Sequence, residues 1–170
     1  SRGEAYRYAI PHPTNVTPAN AGTWERLDEQ TLMWRLRVIS PDATSINLGF
    51  ERFTLPQTGL LSLATSDGEV FVRPFTADDN NRDNQLWTPP VPGDDILIEI
   101  QIDDKDRLMI EQSIALTSIN VGYRGFYDFA SNSSRSLRRE SSLGRAIFRS
   151  PISKSKELPS TAFVFSSKAT

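Results

Sequence analysis

The chain has 170 residues, about one domain's worth, with 38% apolar residues, 19 Lys+Arg against 21 Asp+Glu, a single His and no Cys. Without cysteine there is no disulfide framework, thiolate zinc site, iron–sulfur cluster or cysteine nucleophile, and one His cannot build a histidine metal cluster. No stretch approaches the roughly 18 consecutive apolar residues of a spanning helix, and no signal-peptide pattern opens the chain, so a soluble protein with no membrane partner is expected.

A chain of this length buries about two thirds of its extended surface, enough for one core. In chain order, His12 comes first, between Pro11 and Pro13, in a segment that both prolines hold extended. Thr31 to Ile39 alternates, with Leu32, Trp34, Leu36 and Val38 on one face and Met33, Arg35, Arg37 and Ile39 on the other, which predicts a half-buried strand. Pro41-Asp42 turns the chain into a second alternating run, Ile46, Leu48 and Phe50, and weaker runs follow over 60–64 and 69–75.

Asp95 to Ile102 is the clearest strand, with Ile96, Ile98, Ile100 and Ile102 on one face and turn residues at Pro92-Gly93-Asp94 and Asp103-Asp104-Lys105-Asp106. Leu108, Ile110, Ile114 and Leu116 share even positions, but Gln112 interrupts the row and leaves strand and short helix both open. From Ala130 the composition shifts, with 12 Ser in the last 40 residues and no apolar period, which predicts a mostly disordered tail. Within it only Thr161 to Ser166 has the makings of an edge strand. Charge shifts as well: residues 131–170 hold eight Lys/Arg and two Asp/Glu against eleven and nineteen in residues 1–130, so a body of about −8 carries a tail of about +6.

Short strands at about ten-residue spacing, separated by Pro and Gly turns, predict an all-β fold. The expected architecture is an antiparallel β-sandwich, jelly-roll-like, over residues 5–127, with a Ser-rich basic tail over 128–170. Parallel pairing is disfavoured because nothing between the runs is long and periodic enough for a crossover helix.

Few constellations point to chemistry. His12 lacks the glycine-flanked serine turn that a serine hydrolase needs, and a structural imidazole is the favoured reading. Asp78, Asp79 and Asp83, with Asn80, Asn81 and Asn84, form an oxygen-rich run of the kind that binds calcium, but the Gly and closing Glu of a helix–loop–helix calcium loop are missing and a solvated Asx turn is favoured. No cofactor is expected. Trp24, Trp34 and Trp87 invite comparison with a sugar-stacking platform; Trp34 is in register with the core, which leaves Trp24 and Trp87 as candidate ligand aromatics or as lids on the ends of the core. The tail's basic residues are not interleaved with aromatics and the body is acidic, so nucleic acid is not an expected partner. Asn15-Val16-Thr17 and Asn132-Ser133-Ser134 match the glycosylation acceptor pattern.

Read as a string, Tyr8-Ala-Ile-Pro-His-Pro-Thr-Asn-Val-Thr-Pro-Ala-Asn-Ala-Gly-Thr-Trp-Glu25 and Met33-Trp-Arg-Leu-Arg-Val38 resemble the N-terminal domain that precedes the catalytic domain in secreted bacterial trypsin-like serine endopeptidases of the lysyl endopeptidase type. The resemblance continues through Asn47-Leu-Gly-Phe-Glu-Arg-Phe-Thr-Leu-Pro56, Pro74-Phe-Thr-Ala-Asp-Asp-Asn80, Gln85-Leu-Trp-Thr-Pro-Pro-Val-Pro-Gly-Asp94 and Gly122-Tyr-Arg-Gly-Phe126, roughly residues 6 to 127 in all. It implies a secreted, non-catalytic pro-domain or accessory domain whose partner is the protease catalytic domain, which it helps to fold or restrains until cleavage. The family's catalytic triad belongs to the domain that follows, and no position here corresponds to it. After Phe126 the chain departs from the pattern into its basic tail, where Arg138, Arg139, Lys154 and Lys156 are candidate processing positions. The competing class is a stand-alone extracellular module for carbohydrate or another ligand, which an exposed coplanar Trp24–Trp87 pair would favour; a hydrolase using paired carboxylates is a third reading.

Overall fold

The computed structural model describes residues 9–122 and 162–164. Among the described residues, eleven strands form two sheets. The first holds β1 (Ala9–Val16), β10 (Ile114–Gly122), β4 (Ser45–Phe53) and β7 (Leu86–Trp87) in that order, with β8 (Val91–Pro92) also on β4. The second runs β3 (Thr31–Ile39), β9 (Asp95–Asp103), β5 (Leu60–Thr65) and β6 (Phe71–Phe75), and the outer edge of β3 is shared by β2 (Thr23–Arg26) and β11 (Ala162–Val164).

The pairs are nested. β1 pairs with β10, β3 with β9, β4 with β7 and β8, and β5 with β6, so the chain is a long antiparallel hairpin folded across itself. That is jelly-roll winding, and the expected all-β, antiparallel sandwich is the fold observed. The exception to antiparallel pairing is β11, which lies parallel to Arg37–Ile39 of β3. It falls within the segment expected to add an edge strand; the rest of the tail expected to be disordered, residues 128–161 and 165–170, lies outside the described residues.

Period-two patterning drives the packing. Ile96, Ile98, Ile100 and Ile102 of β9 and Leu32, Trp34, Leu36 and Val38 of β3 are at most 4% exposed and meet Ile46, Leu48 and Phe50 of β4 in one core. Truncating such a fully buried side chain to Ala costs about 2–5 kcal/mol. The half-buried expectation for 31–39 needs correction: Met33 and Arg35, on the face away from the core, are also buried. β2 runs beside them, with Glu25 opposite Met33, and Arg35 is bracketed by Glu25 and Glu99.

The segment that Pro11 and Pro13 hold extended is the edge strand β1, where a residue without an N–H is tolerated. The even-position row at 108–116 divides into α1 (Arg107–Ser113) and the start of β10. Ile110 is buried and Leu108 exposed, which is helical rather than strand periodicity.

Gly22 is held at φ +77°, and a Cβ on it would stand 2.3 Å from Trp34 Nε1 and 2.6 Å from Arg35 O. Close approach here lets Trp34 Nε1 donate to Ala21 O at 2.8 Å. Gly68 has nearly the same φ, +74°, but its nearest neighbour would be Phe71 at 3.9 Å. Gly68→Ala should therefore cost only the left-handed backbone strain, about 1–2 kcal/mol. Gly22→Ala should cost at least about 1 kcal/mol more, because the Trp34 bond is lost as well; urea midpoints of the two variants measure the difference.

Candidate functional site

Along β4, Ile46, Leu48 and Phe50 point into the core, so Asn47, Gly49 and Glu51 face outward. Gly49 pairs with Trp87 of β7 on one side and Ser118 of β10 on the other. The Trp87 ring lies on Gly49: a Cβ there would come within 2.2 Å of Cζ3 and 2.6 Å of Cη2. Even so, Trp87 remains 54% exposed.

Backbone and side-chain bonds hold this edge. Leu48 N donates to Thr88 Oγ1 and Thr88 N donates to Leu48 O, both at 2.9 Å. Asn80 Nδ2 donates to Leu55 O and Leu55 N donates to Asn80 Oδ1, again both at 2.9 Å. The stretches 47–56, 74–80 and 85–94 are thus brought together along one edge of the first sheet.

Trp24 sits elsewhere, in the second sheet opposite Trp34. It packs against the core, donates from Nε1 to Pro18 O at 2.9 Å, and carries the Arg107 guanidinium 4.9 Å from its ring centroid. The structure does not pair Trp24 with Trp87.

The oxygen-rich run is a set of local caps. Asp79 accepts from Arg73 Nη2 at 2.6 Å, from Arg73 Nη1 at 3.1 Å and from Thr76 N at 2.9 Å, closing a capping box on the 3-10 turn Ala77–Asp79. The Arg73 hydrogen bonds hold its carboxyl below the usual carboxylate range. Asp78 and Asp83 are exposed, and Asn81 Oδ1 accepts from Asp83 N and Gln85 N in an Asx turn. Among the described residues no group of three or more His, Cys, Asp or Glu is placed to hold a metal ion. His12 stands mid-strand opposite Ile119.

On the outer face of the second sheet, Arg35 Nε donates to Glu99 Oε1 at 3.2 Å and Arg35 Nη1 pairs with Glu25. Burial pushes the Glu99 carboxyl above its ordinary value; Arg35 opposes this and the Glu25 charge adds to it. Arg37 pairs with Asp95 nearby. Burial acts to raise Asp95, but hydrogen bonds from Arg37 and Ser66 outweigh it and hold the carboxyl low. At the end of this sheet where β3 begins and β9 ends, Glu29, Gln30, Asp103, Asp104 and Lys105 line an open, charged hollow of about 650 Å³.

No family model matches the chain, and no solved structure matches it. The candidate processing positions Arg138, Arg139, Lys154 and Lys156 lie outside the described residues. Sequence reasoning singled out Trp87 but missed Gly49 beneath it and the Asn80–Leu55 pair, because both contacts join residues 25 or more positions apart. A signal for the outward face did exist in the polar alternation of Asn47, Gly49 and Glu51.

Glu99→Ala leaves a buried Arg35 half-neutralised and should destabilise by about 3–5 kcal/mol, whereas Arg35→Met with Glu99→Leu should be near neutral, both read from urea unfolding. The pH dependence follows from the raised carboxyl. Its protonated form contributes stability that is present below the ordinary Glu value and lost as pH rises through the folded value. Relative to wild type, Glu99→Gln should therefore gain stability as pH rises above the ordinary Glu value, read from urea midpoints across pH.

Proposed function

We propose that this chain is a non-catalytic pro-domain or accessory domain of a secreted trypsin-like serine protease, assisting its folding or restraining it before cleavage. The observation that carries the reading is that the resembling stretches converge in space. Residues 47–56, 74–80 and 85–94 are bonded to one another at Leu48–Thr88, Leu55–Asn80 and Gly49–Trp87. Residues 8–25 and 33–38 meet through Trp34 and Ala21. The non-catalytic part of the reading draws on the site chemistry above: Asp79 serves as a cap, Asp95, Glu25 and Glu99 as ion-pair partners, and the described hollow is open and charged.

In this reading the sandwich docks on the protease while the basic tail passes its active site and is cut at Arg138, Arg139, Lys154 or Lys156. Excess of this chain should slow hydrolysis of a small lysyl substrate by a lysyl endopeptidase-type catalytic domain, or raise that domain's refolding yield from denaturant. Unchanged rate together with unchanged yield overturns the proposal.

A further inference from the structure

We propose that the outer face of the first sheet around Trp87 binds a neutral β-linked glucan chain, with the indole as stacking platform and Asn47, Ser118 and Asn120 as hydrogen-bonding groups. The inference goes beyond the accessory-domain reading and does not depend on it.

Strand register places the face. One row across the sheet is Trp87, Gly49, Ser118 and Pro13; the adjacent row is Asn47, Asn120 and Pro11. Their neighbours Ile46, Leu48, Ile119 and Val121 are 0% exposed, so these side chains share the outward face. Gly49 offers no side chain, and the Trp87 ring occupies the space a Cβ would fill. Ser118 Oγ donates to Asn120 Oδ1 at 3.0 Å, which orients that amide. Among the described residues neither the Asn120 Nδ2 group nor the Asn47 side chain is bonded to a protein acceptor.

The chemistry selects the ligand. A pyranose ring with equatorial hydroxyls presents a C–H face that stacks on an indole, whose π-face is negative, while its hydroxyls project sideways toward amides and hydroxyls in the same plane. Trp87, Asn47, Ser118 and Asn120 provide both on one plane, and these two rows carry no charged side chain. A neutral chain is therefore favoured over an anionic one. With strands about 4.8 Å apart and about 7 Å between successive outward residues, the platform is long enough for more than one sugar ring.

Affinity electrophoresis of the whole chain in gels containing mixed-linkage β-glucan or hydroxyethylcellulose, with heparin as the anionic comparison, tests the proposal. Wild type should be retarded by the neutral glucans. Trp87→Ala should lose at least about tenfold in affinity, Trp87→Phe should keep part of it, and Gly49→Ala, which lifts the ring off the sheet, should weaken it too. Urea midpoints establish that each variant is folded. No retardation of wild type in either neutral gel, retardation by heparin alone, or a folded Trp87→Ala that binds as wild type would each overturn the proposal. None of these readouts involves a protease, so the accessory-domain reading stands or falls separately.

Discussion

The isoleucine face of β9 is the constraint on which the rest of the sandwich depends. β9 pairs with β3 from Thr31↔Asp103 to Ile39↔Asp95 and with β5 from Leu60↔Gln101 to Thr65↔Ile96, so it is the central strand of its sheet. A one-residue slip against either neighbour would turn four buried isoleucines outward, at about 1.5–3 kcal/mol each. Register on both sides is therefore set by burial. Once β5 is placed the hairpin into β6 follows, while β10 pairs with β4 and β1 to build the facing sheet.

The two outer faces are built differently. On the second sheet, Arg35, Glu25 and Glu99 form a buried or half-buried network whose stability is a balance of desolvation and attraction. On the first sheet, the two rows beside the exposed Trp87 indole are Asn, Ser, Gly and Pro, with Glu51 next along β4. A sheet face of low relief and low charge is an uncommon way to cover a sandwich and a suitable way to meet a flat, uncharged partner. The segment from Thr76 to Pro92 makes this possible: Thr88 ties it to Leu48 of β4, Asn80 to Leu55 just past β4 and the Asp79 cap to Arg73 of β6, and Trp87 is left on the surface.

The same loop links the two functional proposals. It carries two of the stretches that resemble the protease-associated domain, and it holds the proposed glycan platform. An accessory domain that also held a polysaccharide would keep its protease near a glycan-rich surface, and the two proposed binding events would draw on separate chemistry: basic residues for one, an indole and amides for the other.

Much of this was written in local sequence. Alternation at 31–39, 46–50 and 95–102 specified strands, because side-chain period follows directly from backbone geometry. Turn residues separated them, and the prolines around His12 specified an extended segment. The pattern at 108–116 remained ambiguous until Ile110 was buried by the core and Leu108 left in solvent, an outcome of packing rather than of propensity. The burial of Met33 and Arg35 away from the core, the pairing of β11 with β3, and the seat of Trp87 on Gly49 were decided only by the tertiary structure. Each depends on which residues, far apart in the chain, are brought opposite one another across a sheet. A sequence read through its own period specifies which way a side chain faces, but what it faces is set by the closure of the sandwich.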